Sequence, residues 1–132
     1  MNGRVSNLEI ETEDTAAILI RFKNNVIGSI NLDYIQRTLS RSCRIIGEEG
    51  TITWDLMNQK VSYYLAVDKA WHEFSYAGFQ RNDRFAAEMK HFLDCLAGKA
   101  EPEVNLESGS RSLKVALAAK ESGNTGKAVV LQ

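Results

Sequence analysis

The first half of the chain consists of segments rich in β-forming residues, separated by short turn-forming sequences, and in segment 26–37 Ile30, Leu32 and Tyr34 share one face by a period of two. Alternation with a period of two is typical of β-strands that bury one face. The segments 14–23 and 26–37 flank Asn24–Asn25, and asparagine tolerates the positive φ that a two-residue hairpin turn requires. The pattern therefore predicts an antiparallel hairpin whose second strand is about ten residues long.

Two further β-type segments, 40–47 and 51–56, lie on either side of the sequence Gly-Glu-Glu-Gly at 47–50. A phosphate-binding glycine loop leads into a helix, whereas the residues that follow Gly50 favour a strand. Adjacent glutamates would also repel phosphate, and no neighbouring residues are suited to bury them as an acid–base pair. The sequence therefore predicts a hairpin turn at this point, and a fifth strand at 60–67.

The second half of the chain changes to helical spacing. Residues 82–99 predict a helix, which Asn82 or Asp83 can cap at its start and Gly98 can end in the left-handed conformation. Its apolar side chains recur on one stripe that is expected to face the core. The stripe consists of Phe85, Met89, Phe92, Leu93 and Leu96.

A second helix is predicted at 107–126, because the segment is rich in alanine and Gly123 can end it. The final residues, 127–132, are compatible with a last short strand. The residues of this helix that are expected to face inward are Leu113, Ala116 and Leu117.

Strands followed by helices predict an α+β fold, in which an open, mostly antiparallel sheet of five to seven strands carries two helices packed on one face. The 132 residues suit a single domain, 1–132. The other sheet face is left without a covering layer. If it is apolar, it is too large for a monomer to leave in water and is expected to form an interface.

Composition and charge exclude several classes of partner. The net charge is −1, and no basic region is present, so a nucleic-acid partner is not expected. The apolar runs are too short to span a membrane, and residues 1–11 lack the apolar segment of a signal peptide. The two cysteines do not form a disulfide framework, which favours a reducing, cytoplasmic location.

Candidate chemical groups are few. His91 and Cys95 are four residues apart and share a helix face, but the third and fourth ligands of a zinc site are missing. His72 follows Trp71 in a predicted loop. A metal-dependent enzyme that uses His72 together with His91 and Cys95 is therefore a minor alternative. No metal site is predicted, and no orienting third group makes the Cys–His pair a nucleophile.

Aromatic residues concentrate in the strand region, where they either pack in a core or interface or provide a stacking platform for a ligand. Asp33 and Arg37, on one face of a strand, either meet a polar ligand or form a surface ion pair. No Gly-x-Gly-x-x-Gly motif occurs in the chain. Residue chemistry alone thus predicts no active site.

The aromatic residues that concentrate in the strand region are Trp54, Tyr63, Tyr64, Trp71 and Phe74.

Four segments, taken in order, resemble the C-terminal half of the Gfo/Idh/MocA family (glucose–fructose oxidoreductase, inositol dehydrogenase and rhizopine catabolism). The resemblance covers about residues 13–131. Its more specific parts are a strand that ends in Gly-x-x-Gly-Thr and a helix that ends in Phe-Leu-x-x-Leu-x-Gly-Lys before Pro102. The four segments are EDTAAILIRFKNNVIGSINLDYIQR, IIGEEGTITWD, EMKHFLDCLAGKAEPEV and LKVALAAKESGNTGKAVVL.

The resemblance implies a two-domain enzyme that uses NAD or NADP to oxidise or reduce sugars, cyclitols and related polyols. In that family an N-terminal Rossmann domain binds the nucleotide. The C-terminal domain helps to form the substrate pocket and builds dimers or tetramers through its free sheet face. This chain is accordingly expected to be the C-terminal piece, a homo-oligomer that binds no cofactor by itself.

The family's Glu-Lys-Pro segment, with its active-site lysine, and its Asp-x-x-x-His segment have no counterpart in the 132 residues. No catalytic or cofactor-binding residue is therefore predicted here. An alternative is a stand-alone interaction module derived from the family, and a strand–GxGxxG–helix unit encoded upstream would distinguish the two. Substrate contacts are predicted at the polar end of the long strand, namely at Asn31, Asp33, Tyr34, Gln36 and Arg37.

Overall fold

The computed structural model describes residues 2–76 and 78–131, and for Asn2 and Arg81 it describes the backbone alone. Seven strands and two helices form an α+β fold, as the sequence predicts. The elements are β1 Asn2–Gly3, β2 Thr15–Arg21, β3 Ile27–Asp33, β4 Ser42–Ile46, β5 Gly50–Asp55, β6 Lys60–Leu65, β7 Ala70–Ser75, α1 Arg81–Leu96 and α2 Leu106–Thr125.

The chain divides into two compact units. The first unit contains residues 2–36 and 103–131, and the second contains Arg37–Pro102. The strands form two hydrogen-bonded ladders, β1-β2-β3 in the first unit and β4-β5-β6-β7 in the second, where one sheet was expected. That the whole chain is a single domain stays a prediction.

In the first unit, β2 and β3 form the predicted hairpin, in which Ala16 pairs with Leu32. Asn25 has a φ of 67°, as the turn requires, and the Phe22 N–H closes it by donating to the Val26 carbonyl at 2.9 Å. The strand is shorter than predicted because it ends at Asp33. The Asp33 Oδ1 accepts a hydrogen bond from the Gln36 N–H at 2.8 Å, which turns the chain away from the ladder.

In the second unit, the four strands form an antiparallel meander. The Gly-Glu-Glu-Gly sequence is the predicted hairpin turn, because the Gly47 N–H donates to the Gly50 carbonyl oxygen at 2.9 Å. Gly50 also allows close strand contact, since a Cβ there would lie 2.2 Å from the Tyr64 carbonyl oxygen. The loop predicted around Trp71 and His72 is wrong, because both residues lie in β7.

Because side chains alternate along each strand, the register determines which residues share each face of this meander. One face is mainly polar and includes an ion pair between Lys60 Nζ and Glu73 Oε2 at 2.5 Å. The other face is apolar and aromatic, and we call it the apolar meander face. Its members are Cys43, Ile45, Gly50, Ile52, Trp54, Val61, Tyr63, Leu65, Ala70, His72 and Phe74.

The ends of the two helices agree with the sequence prediction in part. At the start of α1 the Gln80 N–H donates to the Asp83 carboxylate at 2.7 Å, and Gly98 follows the helix with a φ of 69°. The end predicted for α2 at Gly123 is wrong, since the helix continues to Thr125 and Gly126 takes the left-handed conformation at φ 68°. Residues 127–131 form no strand, and residue 132 lies outside the described part.

The helix faces differ from the prediction. The five apolar side chains of the α1 stripe are between 49% and 71% exposed. On α2, Leu113 and Leu117 are exposed, while Val115, Ala118 and Ala119 are partly covered. Small residues let a helix backbone approach a sheet closely, which explains why they take the covered side. None of the described helices is long and apolar enough to cross a membrane.

Asp14 is the one fully buried residue of the part described, with 1% of its surface exposed. Its carboxylate accepts hydrogen bonds from the Val5 N–H at 2.9 Å, the Ser6 N–H at 2.8 Å and the Ser6 Oγ at 2.5 Å. Its backbone carbonyl accepts from the Tyr34 N–H at 2.9 Å. Asp14 thus ties the segment after β1 and the end of β3 to the start of β2.

These hydrogen bonds, led by the one from the Ser6 hydroxyl, lower the pKa of Asp14 from 3.8 to about 2. A carboxyl group whose pKa is lowered by folding stabilises the folded state above its unfolded pKa. That contribution is lost as the pH falls through the folded pKa.

We predict that Gly50→Ala destabilises the protein by about 1–3 kcal/mol, because the new Cβ collides with the β6 backbone. Gly109→Ala is the matched control, since a Cβ there meets nothing and alanine favours a helix by about 0.5–1 kcal/mol. Urea unfolding at one protein concentration measures both. Equal effects of the two substitutions would contradict the close approach at Gly50.

We also predict that Asp14→Asn lowers the Tm at neutral pH and reduces the loss of stability between about pH 4 and pH 2. Asparagine cannot carry the charge that the three donors stabilise. Thermal unfolding followed by circular dichroism across this range is the measurement. Asp83→Asn, at the start of α1, is the comparison variant, and an unchanged acid profile in Asp14→Asn would refute the assignment.

A candidate ligand groove between the first sheet and the second helix

A groove of about 440 Å³ lies within the first unit, where α2 passes over the sheet. Its floor is one face of the β2–β3 hairpin, formed by Ala16, Ile18 and Leu32. Ala116 and Ala119 of α2 form the facing wall. A volume of this order suits a small organic ligand, because ligand pockets commonly measure about 300–1,000 Å³.

Polar groups surround this apolar floor at the rim. Glu13 Oε1 and Lys120 Nζ lie 3.9 Å apart, so they link the start of β2 to α2 by a partly exposed ion pair. Asp33 stands at the end of β3 with one oxygen engaged by the Gln36 N–H. Tyr34 has its backbone held by Asp14 and its side chain 72% exposed.

Only some of the five predicted substrate-contact residues line the groove. Asp33 and Tyr34 line the groove. Asn31 pairs with Ala17 on the hairpin face opposite the groove floor, and Asp33 shares that face through its pairing with Thr15, so Asp33 borders the groove only at the end of β3. The Gln36 backbone N–H donates to the Asp33 Oδ1. Arg37 begins the second compact unit. Two of the five residues predicted to contact substrate thus line the groove. Substrate contacts at the other three stay predictions.

Sequence reasoning missed Glu13, Lys120 and Ala119, whereas Ala116 was among the residues of α2 predicted to face inward. Glu13 precedes β2 and Lys120 lies more than 100 residues further along, in α2. Their proximity depends on how α2 lies over the hairpin, which no local pattern specifies. The available signal was the run of small residues in α2, which favours close packing of the helix against a sheet.

The other candidate groups lie in the second unit. The Cys95 Sγ and the His91 Nε2 are 3.6 Å apart on α1, on the shared face that the spacing predicted. His72 Nε2 lies 2.7 Å from Asp68 Oδ2, and this hydrogen bond lowers the pKa of Asp68. The His72 ring stacks on Tyr63 with centroids 4.9 Å apart. In the described residues no three potential metal ligands come together.

The aromatic cluster divides between two faces of the meander. Tyr63 stacks on Phe74 with centroids 5.8 Å apart, and both lie on the apolar meander face. Tyr64 and Trp71 contact each other on the opposite face, with ring centroids 5.6 Å apart. The rings therefore stabilise cross-strand pairs on both faces of the sheet.

The structure thus shows an α+β fold with a groove in its first unit and an exposed apolar sheet face in its second unit. The chain matches the family model of the oxidoreductase family, C-terminal alpha/beta domain (Gfo/Idh/MocA), over residues 2–131. It belongs to that family, as its sequence segments indicated. Neither the comparison with curated proteins nor that with solved structures finds a match.

Proposed function

We propose that this chain is the substrate-binding and assembly domain of an NAD(P)-dependent oxidoreductase that acts on sugars or polyols. The observation that carries the proposal is the family match over residues 2–131. The groove of the first unit supports its substrate-binding part. The uncovered apolar meander face supports its assembly part.

The chemistry of the groove suits a polyhydroxylated ligand. The Asp33 carboxylate can accept hydrogen bonds from neighbouring hydroxyl groups, and the ammonium group of Lys120 can donate to a sugar oxygen. The exposed ring of Tyr34 offers a surface for the C–H face of a sugar. The apolar floor complements the carbon skeleton between these polar groups, as is usual in small-molecule sites.

Hydride transfer requires a nicotinamide held against the substrate carbon. In this proposal NAD or NADP is bound by a Rossmann domain that partners the chain, and no cofactor-binding or catalytic residue is assigned to the 132 residues. The chain alone then binds substrate without turning it over. Arg37 stays a proposed contact for a carboxylate or phosphate on the sugar, because its guanidinium group binds such groups in a bidentate manner.

For assembly we propose a homo-oligomer, a dimer or a tetramer, that forms through the free sheet face. Exposed apolar residues on one face of a sheet typically mark an interface. Both cysteines, Cys43 and Cys95, are free thiols, which supports the proposed cytoplasmic location.

A second candidate function is an interaction module that keeps the assembling sheet and binds no substrate. The apolar meander face favours it as much as the first proposal. The two proposals differ at the groove, because only the first requires it to bind a polyol.

We predict that glucose, myo-inositol or mannitol shifts the amide resonances of groove residues with millimolar affinity. Asp33→Asn is expected to weaken the binding about tenfold, because a hydrogen bond to a charged group is replaced by one to a neutral group. Titration by ¹H–¹⁵N correlation spectroscopy measures this, together with an assay for reduction of NAD⁺ and NADP⁺.

Glu48→Gln is the matched control, because Glu48 is an exposed carboxylate on the β4–β5 turn. It should leave the titration unchanged. Absence of shifts with all three polyols would contradict substrate binding and favour the interaction module. Reduction of either nucleotide by the chain alone would contradict the absence of catalytic groups from it.

A further inference from the structure

The groove of the first unit is acidic. The described residues that line it include three with a carboxylate and one with an ammonium group, namely Glu13, Asp14, Asp33 and Lys120. Three carboxylates and one ammonium group give the groove a formal net charge of −2, whereas the whole chain has a net charge of −1. The excess of negative charge is therefore concentrated around this cavity.

The charge of Asp14 is stabilised by its partners but not cancelled by them. The Ser6 hydroxyl and the Val5 and Ser6 N–H groups that donate to it are all uncharged. These hydrogen bonds, the one from the Ser6 hydroxyl first among them, hold its pKa at about 2, so the carboxylate is ionised at neutral pH. Because only 1% of Asp14 is exposed, salt screens this charge less than it screens a surface charge.

Lys120 offsets only part of this negative charge. Its Nζ lies 3.9 Å from the Glu13 Oε1, whereas a charge-assisted hydrogen bond measures about 2.7–2.9 Å. The Lys120 side chain is 58% exposed, so water weakens the pair further. At the end of β3, the Asp33 Oδ1 accepts from the Gln36 N–H, which is also uncharged. One ammonium group thus stands against three carboxylates.

We infer that the polyol bound in this groove carries a protonated amino group, as an amino sugar does. This inference rests on the substrate-binding part of the proposed function and names the class of polyol. A cavity with an excess of negative charge attracts a cation more than a neutral ligand of the same shape, and it repels an anion. A ligand ammonium group has three N–H donors and can bind the Asp33 carboxylate while its carbon skeleton lies on the apolar floor.

Three sugars with the same ring test the inference, because they differ in charge. Glucosamine is a cation in slightly acidic buffer, glucose is neutral and glucuronate is an anion. Titration by ¹H–¹⁵N correlation spectroscopy is expected to show glucosamine binding about tenfold more tightly than glucose, since a hydrogen bond between charged groups is stronger than one to a hydroxyl group. Glucuronate is expected to bind most weakly.

Ionic strength and a simpler amine separate charge from shape. The preference for glucosamine over glucose should largely disappear between about 0.01 M and about 1 M salt, where the Debye length falls from about 30 Å to about 3 Å. Cyclohexylamine carries the ammonium group without hydroxyl groups and is expected to bind more weakly than glucosamine.

Two substitutions change the charge of the groove in opposite directions. Lys120→Gln keeps a hydrogen-bond donor but removes the positive charge, so it should strengthen glucosamine binding severalfold and change glucose binding less than about twofold. Asp33→Asn should reduce the preference for glucosamine over glucose. Lys114→Gln is the matched control, because Lys114 is an exposed lysine of α2 outside the groove, and it should leave both affinities unchanged. Circular dichroism confirms that each variant stays folded.

The outcomes distinguish the inference from the proposed function on which it rests. Equal affinity for the three sugars, or tighter binding of glucuronate, would overturn the inference and leave the substrate-binding proposal standing. Binding of cyclohexylamine as tight as that of glucosamine would also overturn it, because charge alone would then suffice. If none of the three sugars shifts the resonances of groove residues, the substrate-binding proposal fails and the inference fails with it.

Discussion

The buried carboxylate of Asp14 holds together three segments that are distant in sequence. Its oxygens bind the backbone at Val5 and the hydroxyl and backbone of Ser6, and its carbonyl fixes the backbone of Tyr34. A buried charge is costly unless its partners are already in place, so this cluster forms as a unit. The position of Tyr34 at the groove rim depends on it.

The second unit depends on a different constraint, the strict alternation of side chains along paired strands. Once the turns fix the register, Ile52 and Tyr63 must share a face, and Lys60 and Glu73 must share the other. The meander thereby gathers apolar residues on one side without any covering layer of its own. An open apolar face costs free energy in water, which is the physical reason for the proposed assembly through this face.

Local chemistry made much of this fold predictable from sequence. The turns at Asn24–Asn25 and 47–50 and the left-handed Gly98 each follow from a few neighbouring residues. The prediction that α2 ends at Gly123 was wrong because a glycine inside an alanine-rich helix destabilises the helix too little to end it. Gly126 ends the helix because it takes the left-handed conformation. Apolar and polar residues do not alternate strictly around Trp71, so β7 lacked a clear period-two pattern.

The parts that sequence reasoning missed depend on contacts between distant segments. Strand alternation does not specify which hairpins pair, so the division into two ladders was not visible. Asp14 stood out no more than any other acidic residue, because its burial depends on the backbone at Val5 and Ser6. Helical spacing identified the α1 stripe, but it could not indicate that the stripe is exposed in a single copy.

The groove proposed for recognition and the sheet face proposed for assembly belong to different compact units. Asp33, Tyr34 and Lys120 belong to the first unit, whereas Ile52 and Phe74 belong to the second. Substitutions that share no partner are usually additive, so the changes in unfolding free energy caused by a groove variant and by a sheet-face variant should add in the double variant.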